Sequence, residues 1–200
     1  VIFDEIITWP RVGFGGAQGR LDLRPDLTTI GKNLGGGYPL AAYGGRADIM
    51  RVLAPEGPTF AGGTHAGNPF AIAIGLRALG FLEANEGVFA QMRELGARLA
   101  VGIRAVLAQL RLDYAVVHLE SIVDFKFRPG PPTRSYDDQR FADARAYAAY
   151  YHEMRARGVL LPPSQNEVMF LCTEHTQHDV DETLDALQAS VESLRQRSIV

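Results

Sequence analysis

Apolar positions along the chain change their spacing twice. From Val1 to Asn68 they come as short runs broken by glycine and proline, the pattern of brief strands joined by loops. Val1-Ile2-Phe3 predicts a short buried strand ending in two carboxylates, Asp4 and Glu5. Gly13-Phe14-Gly15-Gly16-Ala17-Gln18-Gly19 predicts a loop. Asp26 to Ile30 leads into a second strand, with Lys32 just past its end, and Gly35-Gly36-Gly37-Tyr38-Pro39 has no regular periodicity. Leu40 to Tyr43 predicts a third strand, 48–53 a short helix, and 54–68 a loop rich in Pro and Gly.

At Pro69 the period becomes helical. Pro69 suits a first helical turn, and Asn68 before it suits a cap. Ala71, Ile74, Ala78 and Leu82 share one face of a helix that runs to about Ala84, where Asn85-Glu86-Gly87 breaks it. A second helix, 88–110, places Leu95, Leu99, Ile103 and Leu107 on one face, with small residues between them for close packing. The remainder alternates again. Tyr114–His118 and Ser121–Phe127 predict a hairpin, Asp137–Arg157 one helix stopped by Gly158, and 159–161 and 167–172 short strands. A final amphipathic helix over 176–196 carries Val180, Leu184, Leu187, Val191 and Leu194. The fold class is α/β, with two domains, 1–87 and 88–200.

Composition narrows the function classes. With 46% apolar and 22% charged residues the chain is globular rather than disordered. A net charge of −3 gives no footprint for nucleic acid or an acidic membrane surface. No apolar run reaches the roughly 18 residues that span a bilayer. The single cysteine, Cys172, excludes an internal disulfide framework and makes a reducing, cytoplasmic compartment the default. An opening run as apolar as Val1-Ile2-Phe3 belongs inside a sheet, so the chain reads as part of a longer protein.

Only Lys32 and Lys126 are lysines, so any chemistry that needs a lysine amine has two candidates. Lys126, between Phe125 and Phe127 on a strand, is expected to point to solvent. Lys32 lies between a strand end and a glycine turn, and Asp4 ends another strand. In open α/β sheets, ligands collect at such carboxyl ends. Pyridoxal 5′-phosphate (PLP) needs a lysine amine for its aldehyde, a carboxylate to keep its ring nitrogen protonated, and hydroxyl or N–H groups for its phosphate. Gly62-Gly63-Thr64 before Asn68-Pro69 offers the last of these. Taken singly, Asp4 reads equally well as a solvated strand end and Thr64 as a turn hydroxyl.

Taken together, the motifs are more specific. Val1-Ile2-Phe3-Asp4-Glu5-Ile6, Pro25-Asp26-Leu27-Thr28-Thr29-Ile30-Gly31-Lys32, Gly35-Gly36-Gly37-Tyr38-Pro39, Gly44-Gly45-Arg46 and Gly63-Thr64-His65-Ala66-Gly67-Asn68-Pro69 resemble class III (fold type I) aminotransferases in order and spacing. The resemblance implies PLP as cofactor, Lys32 as the catalytic lysine that bonds to it, Asp4 as the partner of its ring nitrogen, and Thr64 as a ligand of the phosphate held by the partner subunit of a homodimer with shared active sites. It also implies the C-terminal part of a fold type I transferase: 1–87 as the end of the large PLP-binding domain, 88–200 as the small C-terminal domain, and about 200 residues before Val1. On that reading the 200 residues alone are inactive.

Within the class, Gly15-Gly16-Ala17-Gln18-Gly19, Asp26–Lys32 and Pro163-Ser164-Gln165-Asn166-Glu167 are similar to glutamate-1-semialdehyde 2,1-aminomutases, which implies that Glu167 faces a small amino-acid substrate. Trp9-Pro10, His65-Ala66 and Val168-Met169-Phe170 depart from that pattern. A class III transaminase for another amino acid or amine, and a non-catalytic remnant that only dimerises, remain alternatives. Cys172, His175 and His178 lack the further ligand a metal site needs, so no metal is expected. Arg11 and Arg46 suit either a substrate carboxylate or structural ion pairs.

Overall fold

The structure, a computed structural model, describes residues 1–200 and divides into two compact units, Val1–Phe89 and Ala90–Val200. The first unit is built on a three-stranded sheet of β1 (Ile2–Asp4), β2 (Leu27–Ile30) and β3 (Ala42–Gly45), in that order. β1 runs parallel to β2 with Asp4 opposite Thr29; β3 returns antiparallel with Tyr43 opposite Thr29. The expected buried first strand is instead a sheet edge, with Ile2 65% exposed. The glycine stretch expected as loop contains a short helix, α1 (Gly16–Leu21). Its start is stabilised by Glu5, which accepts from the orphan N–H groups of Ala17 and Gln18, a tertiary contact that the local sequence does not reveal.

β3 begins two residues later than expected, because Leu40 packs against Gly35 and Gly75 rather than joining the ladder. A short helix, α2 (Ala47–Met50), precedes the loop. The helix α3 (Pro69–Ala84) starts where its cap predicts: Asn68 Oδ1 accepts from Phe70 N at 3.0 Å and Ala71 N at 3.2 Å. Its inward face includes the buried Ala71 and Gly75, and a side chain at Gly75 would collide with Leu40 at 2.5 Å. Its other face leaves Phe70, Leu76 and Phe81 more than half exposed.

The second unit holds the main hydrophobic core. α4 (Gly87–Gln109) places Leu95, Leu99, Ile103 and Leu107 inward, as its periodicity predicts. β4 (Tyr114–Leu119) and β5 (Ile122–Pro129) form the expected hairpin, and β6 (Met169–Phe170) adds to the far edge of β5. The stretch 159–161 forms no strand. Pro162 and Pro163 follow it without N–H donors, and the Tyr147 hydroxyl takes the Pro162 carbonyl at 2.5 Å. The helix expected over 137–157 is broken into α5 (Tyr136–Gln139) and α6 (Ala144–Ala156). Asp143 causes the break: its carboxylate caps Arg145 N at 2.8 Å and Ala146 N at 3.0 Å, while its own N–H donates to Phe127 O at 2.9 Å. α7 (Gln177–Gln196) opens with a reciprocal capping box between Thr176 and Asp179 and buries Val180, Leu187, Val191 and Leu194. Each such fully buried aliphatic side chain stabilises the fold by about 1.5–3 kcal/mol.

Tyr150 is 1% exposed among Phe125, Phe127 and Tyr147, and its hydroxyl has no hydrogen-bond partner. Burial pushes this phenol upward, and it pushes Tyr147 to about 12. An orphaned buried hydroxyl costs about 1–3 kcal/mol of desolvation without return. Tyr150→Phe is therefore expected to leave stability unchanged or raise it by up to about 1 kcal/mol, measured by urea denaturation; a loss of ~1 kcal/mol or more would mean that the hydroxyl has a partner.

Candidate active site

Asp4 and Lys32 lie at one end of the same pair of strands. Because β1 and β2 are parallel, Asp4 closes β1 at the carboxyl edge where β2 runs through Ile30 and Gly31 into Lys32. Lys32 opens a single 3₁₀ turn (Lys32–Gly35) with φ 46°, a left-handed conformation uncommon for a residue with a Cβ. Gly31 before it is buried, and a side chain there would collide with Ile6 at 2.9 Å. The backbone turn thus throws the Lys32 side chain outward, where its amine makes no hydrogen bond or ion pair within the chain.

The Asp4 carboxylate is oriented through one oxygen. Oδ1 accepts from Ile6 N at 3.0 Å and from the Thr29 hydroxyl at 3.4 Å, and Oδ2 stays open. The next residue behaves oppositely. Glu5 is fully buried: Oε2 accepts from Ala17 N at 2.9 Å and from the Thr8 hydroxyl, and Oε1 accepts from Gln18 N at 2.8 Å. Gly16 adopts φ 65°, and a Cβ there would sit 2.7 Å from Oε2. Gln18 in turn accepts from the Thr28 hydroxyl at 3.2 Å, which ties the glycine-rich stretch to β2. Trp9 is buried and donates to Phe14 O at 2.9 Å, so this departure from the aminomutase pattern fills the core of the same loop.

Thr64 lies in the exposed loop before α3 and makes no hydrogen bond to Asp4 or Lys32; His65 and Ala66 beside it form a turn closed by Ala66 N to Gly63 O at 2.9 Å. Arg46 is a structural residue, pairing with Asp26 at 2.7 Å and Asp48 at 2.6 Å; the Val1 amino group first and the Arg46 guanidinium second hold the Asp26 carboxyl below its usual range, and Arg46 does the same to Asp48. In the second unit Glu167 is exposed at the end of the 164–167 turn, with no partner for its carboxylate. His175 Nδ1 accepts from Cys172 N at 3.0 Å, and His178 meets Glu182 at 3.3 Å. An apolar cavity of about 350 Å³ lies between Leu160, Met169 and Val180, and none of Asp4, Lys32, Thr64 or Glu167 lines it.

Lys126 does not point to solvent as expected. It is 7% exposed, pairs with Asp124 Oδ2 at 2.9 Å and donates to the Gln165 carbonyl. The alternation Phe125-Lys126-Phe127 implied a wet outer face, but the 164–167 turn covers it. The signal lay in Asp124 and Lys126 themselves, opposite charges two residues apart on one strand face. Burial pushes the Asp124 carboxyl up, against the pull of Lys126.

Residues 1–191 match the family model for class III aminotransferases. The chain belongs to this family. Class III aminotransferases are PLP-dependent enzymes, and this chain is 44% identical over 187 residues to a glutamate-1-semialdehyde 2,1-aminomutase of Thermus thermophilus, covering 94% of this chain and 44% of the relative. A second such enzyme, from Sorangium cellulosum, is 43% identical over 95% of this chain and 43% of its own length. Among solved structures, a glutamate-1-semialdehyde aminomutase from Pseudomonas aeruginosa in complex with PMP superposes with a TM-score of 0.82 at 27% identity, covering 96% of this chain and 44% of that one. An omega-transaminase from Sphaerobacter thermophilus gives a TM-score of 0.83 at 29% identity, over 97% and 44%. The fold is thus that of the fold type I PLP-dependent transaminases, and this class III aminotransferase chain spans less than half the length of the relatives it matches.

Proposed function

We propose that the chain supplies Lys32 and Asp4 to a PLP site for amino-group transfer, as part of a glutamate-1-semialdehyde 2,1-aminomutase that forms 5-aminolevulinate for tetrapyrrole synthesis. The observation that carries the reading is the placing of an unpaired lysine amine and a half-engaged carboxylate on one carboxyl edge of a parallel strand pair. These groups fit the cofactor's aldehyde and its ring nitrogen. PLP, when bound, supplies an electron sink that loosens the substrate Cα–H bond.

The chain's own residues do the rest. Lys32 would hold the cofactor through its aldehyde and, as general base and acid, would move the proton at the substrate Cα. Asp4 keeps a proton on the ring nitrogen, and Thr29 and Ile6 keep Asp4 in place. The Thr64 hydroxyl holds the phosphate of the cofactor bound in the partner subunit. Glu167 offers its free carboxylate to the substrate. Exposed Phe60, Phe70, Leu76 and Phe81 support a homodimer, since apolar side chains left this bare on one unit mark interaction surfaces. The lone, unbridged Cys172 and the absence of any helix long and apolar enough to cross a membrane are in keeping with a cytoplasmic enzyme.

The similarity to an omega-transaminase at 29% identity keeps a second reading in view, a class III transaminase with two external substrates. The two are separated by supplying glutamate 1-semialdehyde to the PLP-loaded native polypeptide without an amino donor. An aminomutase converts it fully to 5-aminolevulinate. No product until a donor amine is added would reject the aminomutase reading in favour of transamination, and no PLP uptake at all would leave only a dimerising remnant.

A further inference from the structure

The turn that bears Glu167 is fastened from beneath by a buried lysine. Lys126 sits mid-strand in β5 and engages Asp124 at 2.9 Å, the Gln165 carbonyl, and the Glu167 carbonyl at 3.5 Å. Gln139 Nε2 donates to the same Gln165 carbonyl at 3.3 Å and to Asn166 Oδ1 at 3.0 Å. Within the turn, Glu167 N donates to Ser164 O at 3.1 Å and Asn166 N to Ser164 Oγ at 3.2 Å. The backbone around Glu167 is therefore held at several points, while its carboxylate stays exposed and unpaired.

A buried ammonium is costly to desolvate, and an apolar side chain of similar volume packs a sheet at least as well. Lys126 instead directs its donors to one carboxylate and to two carbonyls of a single turn. Such an arrangement is what holding a functional side chain in a fixed direction requires. We propose that Lys126, with Asp124 as its counter-ion, is a positioning residue for Glu167, and that it sets substrate affinity through the direction of that carboxylate. The proposal rests on reading Glu167 as the group that meets the substrate.

The test compares Lys126→Met, Glu167→Gln and the double variant in the PLP-loaded native polypeptide. It reads KM and kcat for glutamate 1-semialdehyde, together with amide hydrogen exchange at residues 164–167. Each single variant is expected to raise KM roughly tenfold with kcat within about twofold, well inside the ~100-fold that a 1 Å misplacement can cost. The double variant should be no worse than Glu167→Gln alone, and exchange at Asn166 and Glu167 should quicken only where Lys126 is changed. If Lys126→Met does not fold, Gln139→Ala removes the second donor to Gln165 and should show the same pattern more weakly. Additive KM effects, or an unchanged KM despite faster exchange, would overturn the proposal. An unchanged KM in Glu167→Gln beside faster exchange in Lys126→Met would place the failure in the role of Glu167. Unchanged exchange in Lys126→Met would place it in the clamp itself.

Discussion

Lys32→Ala in the PLP-loaded protein is expected to lower turnover by about 10³-fold or more, since one side chain would lose both the covalent hold on the cofactor and the proton transfer at Cα. Fixing the wild-type protein with borohydride and mapping its peptides by mass spectrometry should find the cofactor on Lys32, and the variant should carry none. Stability of the cofactor-free protein should barely move, by less than about 0.5 kcal/mol, because the Lys32 amine makes no hydrogen bond or ion pair within the chain and alanine keeps the same backbone demands at φ 46°. Cofactor fixed on Lys126, or turnover retained in Lys32→Ala, would refute the assignment. Lys126 is the only other lysine, and it is buried against Asp124.

The second large effect is on folding. Glu5→Ala is expected to cost about 3 kcal/mol, because it leaves the N–H groups of Ala17 and Gln18 and the Thr8 hydroxyl without their acceptor in a site closed to water. At roughly 2–4 °C per kcal/mol for a chain of 200 residues, that is a fall in Tm of about 6–12 °C. Gly16→Ala tests the same contact from the other side. Alone it combines a left-handed Cβ with a collision against the Glu5 carboxyl; beside Glu5→Ala the collision disappears and only the backbone cost of about 1–2 kcal/mol remains. Strict additivity of the two changes in a denaturation series would show that Glu5 does not hold Gly16.

The contrast between Asp4 and Glu5 also marks how far the sequence could be read. The long helices were legible because their signals are local: Asn68-Pro69 for α3, the Leu95 to Leu107 stripe for α4, and the Val180 to Leu194 stripe for α7 all predict what forms. The placing of Asp4 and Lys32 at strand ends was legible because both follow short apolar runs, and the parallel pairing of those strands brings their carboxyl ends to one edge. What escaped was decided by distant partners. A helix pattern over 137–157 said nothing of Asp143 being drawn to the Phe127 carbonyl. Alternation placed Lys126 in water because it could not foresee the 164–167 turn folding over that face. Glu5 looked like its neighbour until a helix start twelve residues away claimed its oxygens.

The buried Glu5 has a practical consequence. Its one carboxylate gathers the Thr8 hydroxyl and the N–H groups of Ala17 and Gln18, so it pins both ends of the stretch between them. A protease cut within residues 9–15 should therefore leave the two new ends held together.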